Sequence, residues 1–164
     1  MDSTSAHSVT ITGRGAHDGA IVGASTIGGN LAVSLAGQGA NSISVDSASV
    51  AGITTLGAAG GNSKIKIDDQ APGSVFGGAV GITMSGRSNL LSINSQHRAG
   101  GTGTTTFDGR VSASLGAGND TLILAEIGKV DFEAAATFNG GTRSLALVNG
   151  GNLTGGQPRV VNFR

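Results

Sequence analysis

The chain has 164 residues, 30 of them glycine, with two prolines, no cysteine, no tryptophan and no tyrosine; ten basic and ten acidic side chains cancel. That length suits one domain spanning residues 1–164. Zero cysteine excludes disulfide staples and thiolate metal sites, balanced charge argues against a nucleic-acid partner, and no apolar run approaches membrane-spanning length.

In chain order, Val9 and Ile11 alternate with threonines and read as the tail of a repeat copy. The first clear copy starts at Ile27, alternates Leu31, Val33 and Leu35, turns through Ala36–Asn41, then alternates Ile43 and Val45. A partial copy starts at Val50, carries Ile53 and Leu56, and ends on Ile65 and Ile67. A second clear copy starts at Phe76, with Val80, Ile82 and Met84 before a turn and Leu91 and Ile93 after it. A third starts at Phe107, with Val111, Ala113 and Leu115, then Leu122 and Leu124. The last starts at Phe138 and leads into Leu145 and Leu147, its first strand shortened or lost.

Period-two alternation means strands with one apolar face, and the intervening glycines mean turns or close backbone approach. A unit this short cannot bury its apolar face alone, whereas stacking coil on coil buries it in one continuous core. The expected fold is therefore all-β: a single-stranded parallel β-helix, or β-solenoid, right-handed and of about five coils. Five inward ladders follow. They are Ile27/Val50/Phe76/Phe107/Phe138, Leu31/Ile53/Val80/Val111, Leu35/Leu56/Met84/Leu115, Ile43/Ile65/Leu91/Leu122 and Val45/Ile67/Ile93/Leu124/Leu147. Asn41, Asn62, Asn89 and Asn119 are expected to stack at one turn. The longest variable stretches, 94–106 and 125–137, are expected as loops on one side, where binding would sit.

The run Leu115-Gly116-Ala117-Gly118-Asn119-Asp120-Thr121-Leu122-Ile123 resembles the calcium-binding nonapeptide of secreted hemolysin-type (RTX) proteins. Gly116, Gly118, Asp120 and Leu122 match its pattern, while Leu115 replaces the first glycine. The resemblance implies Ca²⁺ held between coils by aspartates and turn carbonyls, with Asp120, Gly116 and Gly118 as the site. Elsewhere Asn41, Ser63 or Arg143 takes the acidic position, so the consecutive carboxylates of that family are missing. More broadly, the chain is similar to Gly/Asn-rich repeat segments of large bacterial secreted and surface proteins.

Parallel β-helices also carry polysaccharide lyases and hydrolases. Lys64, Lys66 and Asp68 alternate with Ile65 and Ile67, so all three are expected to face outward and form the one candidate enzyme face, with Asp69 beside them. Asp108 and Arg110 form a lesser pair, without the paired carboxylates that glycoside hydrolysis needs. His7, His17 and His97 lack metal-ligand spacing. The expected function is a noncatalytic structural or adhesive segment of a larger secreted or cell-surface bacterial protein. Its expected partners are a cell-surface glycan or protein, and other copies through the solenoid ends. The carbohydrate-active enzyme and the calcium module are the alternatives.

Overall fold

The computed structural model describes residues 4–69, 73–95 and 103–163. It is a β-solenoid of about six turns, one more than expected. All strand pairings are parallel, and each complete coil visits three sheets in turn. The first sheet holds the short strands Thr4–Ala6, Ser25–Ile27, Ser49–Val50, Val75–Phe76, Thr104–Phe107, Lys129–Phe132 and Leu153–Gly155. The second holds Val9–Gly13, Leu31–Leu35, Thr54–Ala59, Val80–Ser85, Val111–Ser114, the start of Ala136–Val148, and Arg159–Phe163. The third holds Gly19–Gly23, Ser42–Asp46, Lys64–Ile67, Leu90–Ile93, Thr121–Leu124 and the end of Ala136–Val148.

The sixth coil is the N-terminal one. Val9–Gly13 is not the tail of a broken copy, because Thr4–Ala6 precedes it and Gly19–Gly23 follows it in the same coil. At the other end, no strand is lost: the start of Ala136–Val148 pairs with Val111–Ser114.

The ladder Ile43/Ile65/Leu91/Leu122 stands as read, extended by Ala20 and Ala146. The others shift in places. Thr54, not Ile53, pairs with Leu31 and Val80, which leaves Ile53 exposed. The step from Val50 to Thr54 equals that from Ile27 to Leu31, and turn length outweighs the hydrophobicity of Ile53. Leu56 lies between Val33 and Ile82, while Ala58 takes the place between Leu35 and Met84. Val148 pairs with Leu124, so Leu147 faces out. Phe132 replaces Phe138 above Phe107, and Phe138 joins the second sheet beside Ala113. The rings of Phe76 and Phe107 stack at 5.1 Å, those of Phe107 and Phe132 at 5.3 Å, and Phe138 meets Phe132 edge-on at 6.0 Å.

Glycine recurs where coils touch. At the turn between first and second sheets, a Cβ on Gly29, Gly52, Gly78 or Gly109 would fall 2.2–2.6 Å from a carbonyl oxygen of the coil before it. In each of the first five coils the chain leaving the third sheet bends through one left-handed residue: Ala24, Ser47, Asp68, Asn94 and Ala125 all have φ between 46° and 55°. That corner carries the acidic residues discussed next.

Candidate functional site

The Lys64/Lys66/Asp68 face does not form. The strand ends at Ile67, and Asp68 takes the left-handed corner, which breaks the alternation and turns its carboxylate into the interior. There Oδ1 accepts from the Ser47 N–H (3.0 Å) and the Ser74 hydroxyl (2.6 Å). Oδ2 accepts from the Ser74 N–H and the Thr105 hydroxyl, both at 2.8 Å. One buried carboxylate thus ties together the strand starts of the two following coils and the corner before it. Burial pushes the Asp68 carboxyl above its ordinary range, while the Ser74 hydroxyl, the Ser47 and Ser74 N–H groups and the Thr105 hydroxyl pull the other way.

Asp69 is also buried and meets a separate set of partners. It accepts from the Ser92 hydroxyl (2.7 Å) and from the Ser95 N–H and hydroxyl (3.2 and 3.1 Å), with Lys66 Nζ at 3.7 Å. The Ser92 and Ser95 hydroxyls also touch each other. Ser92 sits at an outward strand position yet is buried, because Asp69 and Ser95 cover it. Lys66 is therefore tied down, and Lys64 alone of the expected trio remains exposed. Two carboxylates buried in separate hydrogen-bond sets are not an exposed pair placed to flank one glycosidic bond. Asp108 and Arg110 lie exposed at a turn.

At the corner between second and third sheets, a buried polar ladder replaces the expected asparagine stack. Its members are Asn41, Ser63, Asn89, Asp120 and Ser144; Asn62 and Asn119 are one residue out of step and exposed. In successive coils the N–H of one member donates to the side-chain oxygen of the next. Asn41 donates to Ser63 at 3.4 Å, Ser63 to Asn89 at 3.4 Å and Asn89 to Asp120 at 2.9 Å. The first link is from Asp18, whose N–H donates to Asn41 at 3.0 Å. Asp120 is thus the acidic version of a bracket that other coils build from neutral side chains.

That placement fits calcium poorly. Oδ1 of Asp120 receives both the N–H and the Nδ2 of Asn89 at 2.9 Å, donors of the same polarity as a cation. Oδ2 is buried without a protein partner. Among the described residues no three His, Asp or Glu side chains are placed to hold a metal ion, whereas Ca²⁺ wants six to eight oxygens. Gly116 and Gly118 serve close packing: a Cβ on Gly118 would lie 2.5 Å from the Arg87 carbonyl oxygen.

Of the histidines, His7 is exposed, and His17 accepts from the Ala40 N–H at 3.2 Å. His97 lies outside the described residues, as does part of the 94–106 stretch. Comparison with protein-family models, curated proteins and solved structures finds no match to this chain. No helix of the described residues is long and apolar enough to cross a membrane.

Two shallow depressions, of about 420 and 540 Å³, lie along the corner between second and third sheets and share Arg87. No local sequence pattern marks this edge. Its arginines are 56 positions apart in the chain, and only the coil register brings 87 and 143 to one side.

Proposed function

We propose that this chain is a noncatalytic scaffolding and adhesive segment of a secreted or cell-surface bacterial protein. One observation carries the reading: Asp68, Asp69 and Asp120, the buried aspartates nearest the candidate enzyme and calcium sites, all brace neighbouring coils. Residues spent on holding coils together are not poised for proton transfer or for a cation. What remains for function is length and outer surface. The resemblance to Gly/Asn-rich surface repeats supports the same reading.

Incubation with acidic and neutral polysaccharides tests it. No new reducing ends and no unsaturated uronate products are expected. Cleavage that disappears in Lys66→Ala would install the enzyme reading instead. Self-association through the solenoid ends belongs to the same proposal, because among the described residues Thr4–Ala6, Val9–Gly13 and Gly19–Gly23 are the outermost strands of their three sheets. Sedimentation velocity should show association that grows with protein concentration, and a monomer throughout would remove this part.

A further inference from the structure

We propose that the corner between the second and third sheets binds a carboxylate-bearing polysaccharide, laid along the solenoid axis, with Arg87 and Arg143 as its charge contacts. The proposal deepens the adhesive reading and rests on it.

The balanced net charge conceals a segregation. On this corner the exposed ionic side chains are Arg14, Arg87 and Arg143. Its two acidic residues are engaged. Asp18 accepts from the Gly15 N–H at 2.7 Å near the N-terminal end, and Asp120 is buried in the polar ladder. Asp46, Asp68, Asp69 and Glu126 fall at the corner between third and first sheets, and Asp108 and Glu133 at the turn between first and second. No carboxylate lines either depression among the described residues.

The geometry suits an extended polymer. One depression runs from Gln38 past Asn62 to Arg87, and the other from Arg87 past Asn119 to Arg143. End to end they cover five successive coils. Gly60, Gly61, Gly86 and Gly118 are among the lining residues and add no side chain. Gln38, Asn62 and Asn119 supply amides, the donor and acceptor groups that sugar hydroxyls need. Arg87 stands one coil before Asn119, whose N–H donates to the Arg87 carbonyl at 2.9 Å, and Arg143 one coil after. Two parallel strand spacings separate the backbones of the two arginines by about 10 Å. In a polymer with a carboxylate on every sugar, every second charge falls at a comparable interval. Each guanidinium offers a planar fork that matches a carboxylate.

The same chemistry argues for binding without cleavage, since the corner offers no exposed carboxylate pair as acid and base. It also argues against nucleic acid. Single-stranded binders stack bases on aromatic rings, and the chain's five aromatic residues are all phenylalanine, none lining either depression.

The experiment is retention of the full chain on immobilised polygalacturonate, with dextran and oligothymidylate as parallel ligands. Retention on polygalacturonate should fall with added salt and be absent on dextran. Arg87→Ala and Arg143→Ala should each weaken it about five- to tenfold, and the double variant should abolish it. Lys129→Ala, on the first sheet, should match wild type. Melting temperatures of the arginine variants should equal wild type, because both side chains are exposed. Retention unchanged in the double variant, or equal retention on oligothymidylate or dextran, would overturn the proposal and leave the scaffold reading standing. Release of polymer fragments from the matrix would instead overturn the noncatalytic reading.

Discussion

Removing one ring from the phenylalanine stack tests the solenoid's core most sharply. Phe107 is wholly buried between Phe76 and Phe132, nearly parallel to both, at interplanar angles of 9° and 12°. Phe→Ala in a packed core costs about 3–5 kcal/mol, and each aromatic pair accounts for about 0.5–1.5 kcal/mol beyond area burial. Phe107→Ala loses two such pairs at once. Collapse into the void is limited, because backbone pairing on both sides holds Val75–Phe76 and Lys129–Phe132 in place. The expected loss is therefore near the top of the range, about 5 kcal/mol, comparable to the whole stability of many domains. Urea denaturation followed by circular dichroism measures it. Phe163→Ala, at a half-buried site in the last strand, should cost clearly less. A Phe107→Ala loss below about 1 kcal/mol would refute the stacked core.

Gly78→Ala should destabilise by about 1–3 kcal/mol or more, since its Cβ would meet the Gly52 carbonyl oxygen at 2.4 Å; Gly81→Ala, with nothing within 4 Å, should not. Equal effects in a thermal melt would remove the close-approach argument. The Asp68 carboxyl is held above its ordinary value of 3.8, so the native state binds its proton more tightly than the unfolded chain. That contribution is complete below pH 3.8 and is lost as pH rises through the native value. Wild type should accordingly lose stability relative to Asp68→Asn as pH rises through this window. A relative gain would mean that hydrogen bonding outweighs burial. Millimolar Ca²⁺ should leave the melting temperature unchanged, while Asp120→Ala should lower it with or without the ion. A calcium-dependent rise abolished by Asp120→Ala would restore the calcium module.

The fold was legible because a coil stack writes its apolar ladder directly into period-two alternation, as Ile43, Ile65, Leu91 and Leu122 demonstrate. Register was less so. A local hydrophobic residue misleads by one position, as at Ile53 and Leu147, where turn length decides the pairing. Phe132 escaped notice because its following turn, Glu133–Ala135, lacks the glycines that mark other starts, whereas Phe138 precedes two. The Asp68 reading failed for a backbone reason: alternation holds only while the strand lasts, and a left-handed residue reverses the side chain's sense. Asp69 with Ser92 and Ser95, and Asp68 with Ser74 and Thr105, join residues up to 37 positions apart, beyond any local pattern.

The account turns on whether the buried carboxylates hold coils together or await a substrate, and the unfolding free energy of Asp68→Ala separates the two most directly. The variant would lose four hydrogen bonds and leave the buried Ser74 N–H and the buried Ser74 and Thr105 hydroxyls without that acceptor. Orphaned buried donors cost about 1–3 kcal/mol each, so a loss of about 4 kcal/mol, or failure to fold, is expected. A variant as stable as wild type, or more stable, would contradict the account, because carboxylates kept for chemistry are typically dispensable to the fold.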